Sequence, residues 1–284
     1  IKMNDIDALL TRYLEEDIGD GDHSSLGCID GKQQSSAQLL AKDTGILAGA
    51  DIAVKVYDIV DSSVVVTQLV PDGEKFNPGD LLLTIEGKAQ SILKGERLML
   101  NCMQRMSGIA THTHDLCNLI SHTSTRLLDT RKTTPGFRAF EKMAVVIGGG
   151  VNHRFGLYDM IMLKDNHIDF AGGVEQAISK TKQYLQQNGL SLKIEIECRN
   201  LEELQQILRV GGIDRIMLDN FSPQQISEAL ELIDSNKYET EASGGINEGT
   251  IRAYAETGVD FISSGALTHS YQSIDLSLKA EFDI

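Results

Sequence analysis

The chain has 284 residues, 41% of them apolar, and a formal net charge of −15. That is enough to bury a sizeable core in one large or two smaller domains. The negative charge argues against nucleic acid as the main partner, because phosphate contacts need basic surface, and no run of about 18 apolar residues is present to span a bilayer.

Residues 1–20 are acidic and mixed, without the basic and apolar regions of a secretory leader. Cys28, Cys102, Cys117 and Cys198 form no C-x-x-C pair, so free thiols in a reducing cytoplasm are expected. Ile6, Leu9, Leu10, Tyr13 and Leu14 repeat at helical spacing, which predicts a helix over residues 4–16 capped by Asn4 or Asp5. From Ala37 to about Gly87 the chain reads as strand-rich, with Pro71-Asp72-Gly73 and Asn77-Pro78-Gly79-Asp80 as turns between strands. Residues 92–120 read as a helix, with Met99, Met103 and Met106 as core filling.

After about residue 123 the rhythm changes. Short apolar runs at 125–128, 160–163, 192–196, 215–218, 238–242 and 261–263 alternate with helical stretches at 173–187, 201–210, 223–233 and 247–256. About six strand–helix units favour a parallel sheet closed into an α/β barrel. Each run ends in polar or small residues: Asp129-Thr130-Arg131-Lys132, Lys164-Asp165-Asn166-His167, Glu197, Asp219-Asn220, Ser243-Gly244-Gly245 and Ser264-Gly265. In parallel α/β folds the carboxyl ends of the strands meet on the face that holds the active site. Singly, each set is explained by a turn or a cap; Asp219 or Asn220, for example, fits as a cap for the next helix.

Charge is concentrated in the same stretch. Residues 97–167 carry nine Lys/Arg against five Asp/Glu and five of the seven histidines, within an otherwise acidic chain. Such an island suits focusing of an anionic ligand into a cleft. Arg131, Lys132, Arg154 and Lys164 are candidate ligands for carboxylate or phosphate. Glu197 and Asp219 are candidates for holding a Mg²⁺-diphosphate or ribose hydroxyls, with ion pairing to the same lysines as the alternative. Ser243-Gly244-Gly245 and Ser264-Gly265-Ala266 are paired phosphate loops at neighbouring late strands. Gly148-Gly149-Gly150 lacks the strand context of a dinucleotide site, and His153 and His167 lack zinc spacing.

In order along the chain, Gly95-Glu96-Arg97, Ser107-Gly108-Ile109-Ala110-Thr111, Asp129 to Gly136, Gly148 to Arg154, Lys164 to His167, Glu195-Ile196-Glu197, Leu218-Asp219-Asn220 and Glu241 to Gly245 closely resemble the quinolinate phosphoribosyltransferase family. The resemblance covers nearly the whole chain. It implies an N-terminal α/β sandwich domain over residues 1–112, a catalytic α/β barrel over 113–272, and a tail over 273–284 that packs back on the first domain. It also implies Mg²⁺-dependent transfer from phosphoribosyl pyrophosphate to quinolinate with loss of CO₂, in a homodimer with shared sites. Arg97 would enter the neighbouring subunit's site. Arg131, Lys132, Thr133, His153, Arg154 and Lys164 would bind substrate. Lys132, Lys164, Glu197 and Asp219 would carry the catalysis. The Ser243 to Gly245 and Ser264 to Ala266 loops would take the 5′-phosphate. The competing readings are a related pyrophosphorylase acting on another anion, a phosphosugar sensor without turnover, and a carrier domain at residues 60–90 using Lys75 or Lys88.

Overall fold

A computed structural model describes residues 3–281, with side chains from Ile6 onward. The cap expected at Asn4 or Asp5 therefore lies outside the described side chains. The chain divides into two compact units, one made of the residues up to His114 with Thr134–Gly149 and the segment from Ser270, the other of Asp115–Thr133 and Gly150–His269. The 134–149 segment differs from the expected division, which gave it to the barrel. It carries the helix Arg138–Ile147, bounded by Gly136 and Gly148-Gly149-Gly150. Ala139, Phe140, Ala144 and Val145 of that helix are buried, as are Glu141 and Lys142. Two buried charges interrupt its apolar stripe, which is why periodicity does not reveal it.

The first unit is built on a four-stranded antiparallel sheet in the order Leu276–Glu281, Gln34–Ala41, Leu81–Lys88, Val65–Gln68. The tail thus supplies an edge strand, with Leu278 opposite Leu39. Alternation buries Ala37, Leu39 and Ala41 on one face. Met99, Met103 and Met106 are fully buried on the helix Ala89–Leu119, as core filling requires. The turns at 71–80 close on Glu74 N–H to Pro71 O and Asp80 N–H to Asn77 O. Within the stretch read as strand-rich, Ala50–Val60 is instead a helix. Gly49 starts it at φ +101°, and the Asp72 carboxylate accepts the Ala50 N–H at 2.8 Å. A remote carboxylate capping the helix is invisible to local pattern.

Ser107 to Thr111 proves to be a structural clasp. The Ser107 hydroxyl accepts the Ala48 N–H and that of Thr111 accepts the Ile46 N–H. Gly108 is small because the Gln272 carbonyl crosses where a Cβ would stand.

The second unit is an α/β barrel. Its six parallel strands run in the order Arg126–Leu128, Phe261–Ser263, Glu239–Ser243, Arg215–Asp219, Ile194–Cys198, Ile161–Leu163, and Val151 bridges in parallel to Leu128 at one edge. Outward-facing Ile194, Ile196, Ile216, Leu218, Ala242 and Ile262 are buried, as are Leu204, Ile207, Ile226 and Ala229 of the intervening helices. Ser222, rather than Asp219 or Asn220, caps the helix Pro223–Leu232. The helix expected from Asn247 begins only at Ile251, because Asn247 and Thr250 are spent on a turn. No helix among the described residues is long and apolar enough to cross a membrane.

Candidate active site

Strand pleating places alternate residues of each barrel strand on the enclosed side. At the carboxyl ends these are Glu197, Asp219, Ser243 and Ser263, and two residues earlier on their strands come Glu195, Met217, Glu241 and Phe261. Loops that follow the strands add Thr130, Arg131, Lys132, His153, Arg154, Lys164, Asp165 and Asn166, which with these ends line a cavity of about 580 Å³. The four cations and two carboxylates picked out in the sequence therefore share one pocket.

Each cation is held differently. Lys132 anchors through its backbone: its carbonyl accepts the Thr268 hydroxyl at 2.8 Å, and its N–H donates to Thr130 Oγ1 at 3.0 Å. A Cβ at Gly265 would stand 2.8 Å from Lys132 Cδ, so glycine there lets the lysine stem pass. Arg154 donates to the Met160 carbonyl at 3.3 Å and meets Met162 Sδ at 3.7 Å. Burial, then the neighbouring Arg131 guanidinium, brings Arg154 below the usual arginine value. Lys164 Nζ lies 3.4 Å from Glu197 Oε1 and stays about half exposed. The alternative reading of Glu197 as a lysine partner is thus present in the same geometry, as a pair open enough to be exchanged for a ligand.

Asp219 is half-buried, and burial holds its carboxyl above the ordinary value although Asn220 donates to Oδ2 at 2.8 Å. Asn220 itself sits at φ +57°, the one non-glycine in the left-handed region among the described residues. Its N–H donates to the Ser243 carbonyl, tying two strand ends together. Gly244 has φ +102°, and a Cβ there would strike the Asn220 side chain and stand 2.9 Å from its backbone nitrogen. Gly245 also has positive φ. Ser264 N–H is committed to the Leu128 carbonyl. Ser243 lines the cavity; Gly244, Gly245, Ser264, Gly265 and Ala266 lie at the strand ends beside it, and Thr133 lies just beyond Lys132.

His153 lies deeper than a ligand-binding histidine needs to. Its side chain is only 4% exposed. Nε2 lies 3.0 Å from Glu195 Oε2 and 3.2 Å from Glu241 Oε2, while Nδ1 accepts the Arg154 N–H at 2.7 Å. Its own N–H donates to Asp129 Oδ1 at 2.8 Å. Burial works against a charged ring, but the two carboxylates outweigh it and push the imidazole up to about 9. The Arg154 amide opposes this: a proton on Nδ1 would point into an N–H 2.7 Å away, which leaves Nε2 as the better place for a ring proton. Burial and the Glu241 charge push Glu195 up to about 7. Glu241 lies below the ordinary range because hydrogen bonds from His153 and Ser263 overcome its burial.

Residues 22–107 match the N-terminal domain of quinolinate phosphoribosyl transferase, and residues 109–279 its C-terminal domain. The chain belongs to the quinolinate phosphoribosyltransferase family. It is 42% identical over 295 residues to quinolinate phosphoribosyltransferase (decarboxylating) 1b of Nicotiana tabacum, covering 99% of this chain and 83% of that protein. It is also 42% identical to the probable nicotinate-nucleotide pyrophosphorylase (carboxylating) of Bacillus subtilis, covering 95% and 91% of the two. The crystal structure of NadC from Streptococcus pyogenes superposes with a TM-score of 0.92 at 39% identity, covering 98% of this chain and 97% of that one.

The sequence reading assigned Arg97 to a neighbouring subunit's site rather than to this chain's own. Arg97 does not line the barrel cavity; it lies on the long helix of the first unit, in a cavity with Tyr13, Glu16, Asn101, Arg105 and Phe137. The sequence reading also passed over Glu195, Glu241 and Arg215 as functional residues. Their signal was present, because each stands two or four positions before a strand-end site residue and so shares its enclosed face.

Proposed function

We propose that this quinolinate phosphoribosyltransferase transfers the phosphoribosyl group of phosphoribosyl pyrophosphate to quinolinate, releasing pyrophosphate and CO₂ and forming nicotinate mononucleotide. The observation that carries the reading is the joint presence of Arg131, Lys132, Arg154 and Lys164 with Glu197 and Asp219 in one cavity. Anion capture alone needs the cations, whereas transfer of a ribosyl group also needs carboxylates to meet its hydroxyls and the transient positive charge at C1.

The quinolinate nitrogen attacks C1 as the bond to pyrophosphate breaks. The pyridinium so formed accepts the electron pair left when the adjacent carboxylate departs as CO₂, and a proton then replaces that carboxylate on the ring. Arg131, Lys132, Arg154 and Lys164 hold and orient the two substrate anions, and His153 supports Arg154 from behind. Glu197 and Asp219 face the ribose. The loops at Ser243 to Gly245 and Ser264 to Ala266, beside Thr133, suit the 5′-phosphate, since their glycines allow backbone to approach it closely.

Glu197 and Asp219 also fit Mg²⁺. Two carboxylates beside a cationic pocket suit an ion that takes few protein ligands together with waters and substrate phosphates. When bound, Mg²⁺ would neutralise charge on the departing pyrophosphate. We further assign the chain to a homodimer in which Arg97 serves the partner's site, since in this chain Arg97 is absent from the barrel cavity. A cytoplasmic location is supported by four free cysteines, although relatives include proteins named as chloroplastic.

The test is direct. Purified protein with quinolinate, phosphoribosyl pyrophosphate and Mg²⁺ should yield CO₂ and nicotinate mononucleotide, and nicotinate should not replace quinolinate. Absence of product across pH and Mg²⁺ concentrations would overturn the reading.

A further inference from the structure

The pocket floor is a second layer of charge held almost entirely out of solvent. Glu195 and Glu241 are 0% exposed, and the Arg215 side chain is 12% exposed. Arg215 lies 3.3 Å from Glu241 and 3.0 Å from Glu239, with its guanidinium 4.2 Å from the centre of the Phe261 ring. His153, Glu195 and Glu241 form the one cluster of three close histidine and carboxylate donors among the described residues. Arg215 sits against it, so a cation of the protein already offsets part of its charge.

Burying two carboxylates is expensive unless they are used. Their placement shows a use. Both meet Nε2 of His153, and the opposite nitrogen of that ring accepts the Arg154 N–H at 2.7 Å. The imidazole is therefore a rigid link between buried carboxylates and the backbone of a pocket-lining arginine. The arrangement parallels the partners behind metal-bound histidines, which fix tautomer and ring orientation without touching the ligand.

We propose that Glu195 and Glu241, backed by Arg215, are positioning residues that lock the His153 ring and thereby hold Arg154 in place to receive a substrate carboxylate. The inference rests on the proposed function and deepens it. It assigns these residues to quinolinate recognition and leaves phosphoribosyl pyrophosphate to the loops on the far strands.

Steady-state kinetics of Glu195→Met and Glu195→Gln separate this role from a general structural one. Methionine keeps volume and removes the polar group; glutamine keeps an oxygen for the Nε2–H and leaves the Arg215 pairs intact. Glu195→Met should raise the KM for quinolinate on the order of 10-fold, as loss of a supporting partner commonly does. The KM for phosphoribosyl pyrophosphate should stay within about twofold, and Glu195→Gln should recover most of the quinolinate affinity. If Glu195→Met does not fold, the double variant Glu241→Met with Arg215→Met removes a buried pair together, leaves Glu239 facing Lys193 and Glu195 facing His153, and should show the same selective rise. An unchanged quinolinate KM, equal rises for both substrates, or no advantage of glutamine over methionine would overturn the inference. Wild-type protein run alongside keeps the two failures apart: no product from wild type condemns the proposed reaction, whereas active wild type with unshifted variants condemns only the positioning role.

Discussion

The two sheets of this molecule obey the same alternation and enclose opposite chemistry. In the antiparallel sheet of the first unit, Ala37, Leu39, Ala41, Leu83 and Ile85 are buried, a hydrocarbon core whose value lies in packing alone. In the barrel the enclosed positions include Glu195, Glu241, Arg215, Glu197 and Asp219 beside Met217 and Phe261, and most of the hydrocarbon lies on the outer side under the helices. A sheet that only supports excludes charge. A barrel that handles anions keeps its charges inside, in a water-poor place where each is strong, and compensates the deeper ones pairwise.

Substitutions that remove one enclosed residue from each sheet sharpen this contrast most. Glu241→Ala should cost about 3–5 kcal/mol of stability, because it takes from Arg215 and His153 one of the two carboxylates each faces and empties a buried site. Leu39→Ala should cost about 2–5 kcal/mol through a cavity. Replacing both Glu241 and Arg215 with methionine should recover much of the first loss, and no second substitution should do so for Leu39. Denaturant melts of the three variants check this, and equal recovery in neither case would break the comparison.

At the barrel mouth the expectation shifts from stability to rate. Lys164→Ala and Arg131→Ala should each cost about 2–4 kcal/mol of transition-state binding, read as a fall in kcat/KM, with little change in melting temperature. Near-normal rates in both would show that the mouth is not the reacting site.

The smallest effect concerns positions where the two units should behave alike. Cys102 and Cys198 are buried, and burial pushes both thiols up to about 12. At pH 8 only about one in ten thousand of each would be thiolate, so both should resist a thiol reagent that labels exposed Cys28 quickly. Labelling should accelerate for both as pH rises toward 12. Selective early labelling of Cys198 would show that the outer side of the barrel opens.

Much of the barrel was legible because its strands are short apolar runs cut by polar ends, a pattern set by covalent period and solvent exclusion. Five of the six strands begin within two residues of where the apolar runs place them, and the sixth, Phe261–Ser263, coincides with its run. The helices Ala50–Val60 and Arg138–Ile147 were not legible. One is capped by Asp72 from a distant turn, and the other buries Glu141 and Lys142 where periodicity expects solvent. Ser222 holds the capping role that was the alternative for Asp219 or Asn220, leaving both at the strand end.

By itself the sequence singled out the residues proposed to carry the chemistry, since charge type, strand-end position and motif order are all one-dimensional facts. Arg131, Lys132, Arg154, Lys164, Glu197 and Asp219 needed no coordinates to be singled out. Only the tertiary structure decided what lies beneath them. Whether Glu195 and Glu241 are solvated surface acids or buried struts depends on how far the barrel excludes water and on Arg215 arriving from the next strand, and no local pattern records either. The same holds for His153, whose ring nitrogens are claimed by two carboxylates on separate strands and by the amide of the neighbouring arginine.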